Sequence, residues 1–110
     1  MTALKVNQIG PLELKQRIDA GEALELIDVR EPYEKEIADM GGKLIPLKTI
    51  LDRVSEIPRD KPVIVYCRGG GRSAKAIEEL QSKHGFTNLI NLQSGILGWA
   101  DQVDHTLTKY

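Results

Sequence analysis

The sequence is poor in sulfur and imidazole. Its 110 residues include one cysteine, Cys67, and two histidines, His84 and His105. A single cysteine excludes an intramolecular disulfide and a cysteine-based metal cluster. Two histidines argue against a histidine-rich metal site. No excess of one charge is present: 15 basic and 16 acidic residues give a net charge of −1, with no overall pull toward nucleic acid or anionic lipid. Long apolar runs are missing too, and a stretch such as Val63 to Cys67 is far too short to span a bilayer. The start of the chain, Met1 to Val6, lacks the apolar core of a signal peptide. Neither a membrane nor a nucleic-acid partner is therefore expected, nor a cofactor. A lone free thiol without targeting signals fits a reducing cytoplasm.

What is present is ordinary globular composition, 41% hydrophobic and 28% charged. Repeats, low-complexity stretches and linker-like segments are absent, so residues 1–110 read as one domain able to bury a core without staples. The core is expected over about residues 10–104, with 105–110 as a flexible tail. Pro11 opens a helix with Leu12, Leu14 and Ile18 on one face, stopped at Gly21. Leu24 to Val29 and Leu44-Ile45 read as strands, and Glu31 to Asp39 as a short helix or turn. Apolar residues at 47, 50, 51, 54 and 57 predict a further helix. Val63 to Tyr66 is a β-branched run suited to a strand buried on both faces. Ser73 to His84 reads as a helix closed at Gly85, with Phe86 folding back on Leu80. Leu89 to Leu92 is another strand, and Ser94 to Val103 a last helix carrying Trp99 as a packing anchor. Strands alternating with helices imply an α/β domain with a parallel sheet covered on both faces.

Chemistry concentrates in Cys67-Arg68-Gly69-Gly70-Gly71-Arg72-Ser73, where the most apolar strand passes into a helix. Ligands of open α/β sheets bind at the carboxyl ends of strands. Three glycines permit positive φ and add no side chains, so successive N–H groups can form a nest for an anion. The helix N-terminus adds its unpaired N–H groups. Arg68 and Arg72 add two charges. Such a cradle favours a thiolate at Cys67, and the thiolate is the nucleophile. A buried cysteine by itself is usually a small hydrophobe. A cysteine followed at once by three glycines and two arginines is harder to explain as packing alone. The loop is neither a Walker A nor a Rossmann phosphate loop, because their lysine and glycine spacings are missing. It resembles the Cys-x5-Arg loop of cysteine-dependent phosphatases but is one residue tighter, with four residues between Cys67 and Arg72.

These residues resemble the rhodanese family, specifically its single-domain sulfurtransferases. One block is Leu26-Ile-Asp28-Val-Arg30-Glu-Pro32, followed by Glu34 and Gly42. The other runs from Val63 through Cys67-Arg-Gly-Gly70-Gly-Arg72-Ser73, followed by Gly95-Ile-Leu-Gly-Trp99. The resemblance implies a central parallel sheet of about five short strands with helices on both faces. It implies that Cys67 takes a sulfane sulfur from a donor such as thiosulfate, holds it as a persulfide, and passes it to cyanide, a thiol or a protein thiol. Arg68, Gly69, Gly70, Gly71, Arg72 and Ser73 are then expected to bind donor and persulfide. Asp28 and Arg30 are assigned support: Asp28 accepting from the loop or a helix N-terminus, Arg30 pairing with Glu31, Glu34 or Asp28. The chain departs from the family at Asp39 and Gly41, where His and Pro are usual, at Ser94 in place of Gly, and at Lys35 in place of an aromatic. Its partners are expected to be a small anionic sulfur donor, a thiol acceptor and a protein in the same transfer. A non-catalytic sulfur-carrier module, a phosphatase and a redox sensor remain as alternatives.

Overall fold

The structure is a computed structural model that describes residues 5–110; Met1 to Leu4, the start of the segment read for targeting, lie outside the described residues. Four consecutive apolar residues form the central strand β4 (Val63–Tyr66), and all four are buried. It pairs in parallel with β2 (Glu25–Asp28) on one side and β5 (Leu89–Leu92) on the other. Beyond them lie β3 (Lys43–Leu44) and β1 (Asn7–Ile9), giving the order β1-β5-β4-β2-β3, parallel throughout.

Successive side chains of β4 point to opposite faces. Val63, Val65 and, just beyond the strand, Cys67 join Ala76, Ile77 and Leu80 of α3 (Gly71–His84) and Ile50 of a 3-10 segment, Leu47–Asp52. Ile64 and Tyr66 face the other layer, with Leu14 of α1 (Pro11–Asp19) and Ile96 and Trp99 of α4 (Gly95–Gln102). Residue Ala38, just past α2 (Pro32–Ile37), packs into that second layer. This is the sheet covered on both faces that the alternating pattern implies. No helix among the described residues is long and apolar enough to cross a membrane.

Local chemistry accounts for the ends of α3. Gly85 adopts φ 68° and donates its N–H to Gln81 O, while Phe86 N–H reaches Leu80 O, as the glycine-stop reading expects. The helix begins at Gly71, two residues earlier than Ser73, so the end of the glycine run belongs to its first turn. Four other details differ from expectation. Strand β1 is not visible in the pattern, because only Ile9 of its three residues is buried. The stripe from 47 to 57 forms two 3-10 segments, Leu47–Asp52 and Val54–Glu56, rather than an α-helix. Its spacings of three, 47 to 50 and 51 to 54 to 57, fit three residues per turn. On α1 the buried residues are Pro11 and Leu14, while Leu12 and Ile18 are exposed. The segment 105–110, expected as a flexible tail, lies against the domain, with Leu107 and Tyr110 packed on the second layer.

Candidate active site

Strand β4 delivers Cys67 to the carboxyl edge of the sheet, where the residue is 1% exposed. The chain then turns through Arg68 and Gly69 into α3. Gly70 precedes the helix with φ 108°, a left-handed conformation that L-residues avoid. That turn aims its N–H at Cys67 Sγ, 3.1 Å away. The amides of Gly69 and Ser73 also turn toward the sulfur, and Ser73 Oγ lies 3.4 Å from it. Burial pushes the Cys67 thiol up, but the hydrogen bonds from the Ser73 side chain and the Ser73, Gly70 and Gly69 amides outweigh it, leaving the thiol below its ordinary value. The amide nest expected from the glycine run is thus formed by geometry at Gly70. At Gly69 and Gly71 an added Cβ would meet nothing within 4 Å, so those positions leave open space at the rim.

The loop is held from behind by α4. Ile96 N–H donates to Cys67 O at 2.9 Å, and Leu97 N–H to Arg68 O at 3.1 Å. This close approach requires Gly95: it has φ 58°, and a Cβ there would stand 2.6 Å from Cys67 O. The helix N-terminus therefore fixes the two peptide bonds that follow Cys67, a role not apparent from Gly95-Ile-Leu-Gly-Trp99 as a packing motif.

The two arginines of the loop are engaged by other parts of the chain. Arg72 forms a bidentate pair with Glu34 of α2, Nη1 to Oε2 at 2.7 Å and Nη2 to Oε1 at 2.8 Å. Glu34 also closes a capping box by accepting the Glu31 N–H at 2.9 Å. The Arg72 hydrogen bonds, aided by the Glu31 N–H and the Tyr110 hydroxyl, overcome burial and hold the Glu34 carboxyl down at about 2. Arg68 is exposed; its Nε and Nη2 donate to the main-chain oxygen of Tyr110, whose ring centroid lies 5.2 Å from the guanidinium.

Asp28 and Arg30 are both fully buried. Asp28 Oδ1 accepts the Arg30 N–H at 3.0 Å and Nε–H at 2.9 Å, and Oδ2 accepts Nη2–H at 2.8 Å. Asp28 thus turns to Arg30, not to the loop or a helix N-terminus, and of its three candidate carboxylates Arg30 pairs with Asp28. The same guanidinium donates to the carbonyls of Glu34 at 3.2 Å and Ala38 at 2.7 Å, satisfying the C-terminal end of α2. It also donates to the Tyr110 hydroxyl at 2.8 Å. The pair is an internal brace between β2 and α2, not a surface ion pair.

Three residues of the site escape sequence reasoning. Glu34 is visible in the first block but not as the partner of Arg72. Asn91, 3% exposed on β5, bonds to Ser73 Oγ and to Gly70 O. Its signal is one polar residue interrupting the apolar strand Leu89–Leu92. Tyr110 carries no local signal, because it meets Arg30 across 80 residues of chain. Beside the loop, a cleft of about 420 Å³ opens between α3 and the 3-10 segment, with Val29, Leu47 and Leu51 among its apolar lining and Arg72, Lys48 and Lys75 among its cations.

A buried thiol at the end of a parallel strand, cradled by the N-terminus of the next helix, defines a class of cysteine loop domain. Residues 10–102 match the rhodanese-like domain profile, and the chain belongs to the rhodanese-like domain family. It is 38% identical over 111 residues to the "Probable adenylyltransferase/sulfurtransferase MoeZ" of Mycobacterium tuberculosis, covering 98% of this chain and 28% of that protein. It is 38% identical over 96 residues to a protein of Allochromatium vinosum named "Sulfurtransferase", covering 86% of this chain and 89% of that one. Among solved structures, a rhodanese-like domain protein from Staphylococcus aureus superposes with a TM-score of 0.80 at 28% identity, covering 96% of this chain and 99% of that one. The chain thus spans under a third of the first of these relatives and most of the second.

Proposed function

We propose that this chain is a sulfurtransferase that carries sulfur as a persulfide on Cys67. The observation that carries the reading is the convergence of the Gly69, Gly70 and Ser73 amides on one buried sulfur whose thiol sits below its ordinary value. In the first step the Cys67 thiolate attacks the outer sulfur of thiosulfate or a similar donor. A new S–S bond forms, the old S–S bond breaks, and its electron pair leaves on sulfite. In the second step an acceptor thiolate attacks the terminal sulfur of the persulfide, and the Cys67 thiolate departs. The sulfur is negatively charged before and after each transfer, so amide donors fixed around it stabilise the charge without reorganisation. Arg68 lies at the rim of this loop, where an oxyanion donor exchanges with the Tyr110 main-chain oxygen for the guanidinium. Arg72, fixed by Glu34, keeps positive charge next to the helix N-terminus.

No second cysteine is present to take the sulfur within the chain. The acceptor thiol therefore lies outside these 110 residues, and a lone free thiol here suits a reducing cytoplasm. Intact-mass analysis after incubation with thiosulfate or a polysulfide tests the reading. One added sulfur atom is expected, removed by excess thiol and absent in Cys67→Ser. A chain that takes up no sulfur from any of several donors while its thiol remains alkylatable would sink the proposal.

A further inference from the structure

Ser73 Oγ carries one proton and has three acceptors in reach: Gly70 O at 3.1 Å, Cys67 Sγ at 3.4 Å, and Asn91 Oδ1. The Gly70 carbonyl is already occupied. It accepts the Ala74 N–H at 3.2 Å as the first bond of α3, and an Asn91 Nδ2–H at 3.2 Å. A carbonyl oxygen has two lone pairs, and both are taken. The other Asn91 Nδ2–H goes to Gln8 Oε1 at 2.9 Å, leaving Oδ1 turned to Ser73. A flipped carboxamide would set Oδ1 against the Gly70 carbonyl oxygen, so the network itself fixes the orientation. The Ser73 proton is left with two destinations, Asn91 and the sulfur.

We propose that Asn91 is a positioning residue for Cys67, competing with the sulfur for the single hydroxyl proton of Ser73. While Cys67 is a neutral thiol, its S–H donates to Ser73 Oγ and the hydroxyl donates to Asn91. When the S–H proton leaves to a base in solvent, the hydroxyl turns and donates to the sulfur anion. Ser73 and Asn91 neither gain nor lose a proton, but Asn91 Oδ1 is then buried without a donor. That uncovered acceptor opposes ionisation, so Asn91 holds Cys67 less acidic than the loop amides alone would make it. The same turn follows the sulfur charge through both transfer steps, and in this the inference rests on the sulfurtransferase reading. The charged groups around Cys67 are Arg68 and Arg72 on its own loop and helix, Glu34 of α2 on Arg72, and the Asp28–Arg30 pair at the end of β2. Among the described residues none of these hydrogen-bonds to Ser73, Asn91 or the sulfur.

The test follows the Asn91 carboxamide by nuclear magnetic resonance in the full chain as pH is raised, beside thiolate absorbance at Cys67. The carboxamide signal should move with the same midpoint as Cys67 in the wild type. Ser73→Ala should remove most of that movement and raise the Cys67 midpoint, slowing alkylation at fixed pH by roughly tenfold. Movement that persists in full in Ser73→Ala would mean that Asn91 only senses the thiolate charge through space, and would overturn the proposal; so would a wild-type signal that does not move. Asn91→Asp supplies a second arm, because a carboxylate keeps the Ser73 proton and repels the thiolate. The Cys67 midpoint should rise by about one unit or more, and adding Ser73→Ala should raise it no further; a further rise overturns the proposal. Neither arm uses a sulfur donor. Failure of Cys67 to take up sulfur, with these titrations as expected, would remove the transferase reading and leave the Asn91 role standing.

Discussion

At Glu34 three parts of the site meet. Its carboxylate pairs with Arg72 beside the Cys67 loop, accepts the Glu31 N–H that caps α2, and accepts the Tyr110 hydroxyl at 3.0 Å. These bonds set its folded value at about 2, below the usual unfolded carboxylate value near ~4.3. A depressed carboxyl contributes stability that is complete above the unfolded value and is lost as pH falls through the folded one. The window therefore runs from about pH 4.3 down to about pH 2. Glu34→Gln should be less stable than wild type at neutral pH, and the gap should narrow across that window. Urea unfolding at a series of pH values checks this, and a gap that stays constant would show that Glu34 is not the titrating group. The same substitution frees Arg72, so the effect on Cys67 reactivity separates the arginine's charge from its position.

At the scale of elements, the brace between β2 and α2 decides whether the rim keeps its shape. A buried ion pair is weak support in itself, but removing one partner strands a charge. Asp28→Ala leaves Arg30 buried without its carboxylate and should cost about 3–5 kcal/mol in urea unfolding. Combining it with Arg30→Met should regain part of that loss, although the carbonyls of Glu34 and Ala38 then lose a donor. A single substitution costing under about 1 kcal/mol would mean that solvent reaches the pair. The elements also show what a sequence pattern can carry. β4 and α3 are legible because their signals are local: an unbroken β-branched run, a glycine stop, and Phe86 returning to Leu80. The 47–57 stripe is legible as helical but not as 3-10, since its apolar spacings suit either period. β1 is not legible, because a three-residue edge strand gains its meaning only from pairing Asn7, Gln8 and Ile9 with Ile90, Asn91 and Leu92 at the far end of the chain.

Across the whole molecule the same division holds for the site. The loop from Cys67 to Ser73 is contiguous, so its residue types and spacing already foretell the amide turned on Cys67. Glu34, Asn91 and Tyr110 come to it only because a parallel sheet sets the ends of β2, β4 and β5 side by side, and each looks ordinary in its own segment. Tyr110 is the most distant. Its hydroxyl lies between Arg30 and Glu34, and its main-chain oxygen holds Arg68, so one residue ties the last segment to both the brace and the rim. Tyr110→Phe keeps the ring over Arg30 and Arg68 while removing only the hydroxyl bonds. Bonds to charged groups contribute about 1.5–3 kcal/mol, so Tm should fall by roughly 5–15 °C. Tyr110→Ala also removes the ring and should speed amide exchange over residues 104–110. If Tyr110→Phe leaves both Tm and exchange unchanged, the hydroxyl is exchanging freely with water and the segment is held by the apolar contacts of Leu107 and the residue 110 ring. If Tm falls and exchange speeds up, the rim of the Cys67 loop is stabilised by a contact made across 80 residues of chain.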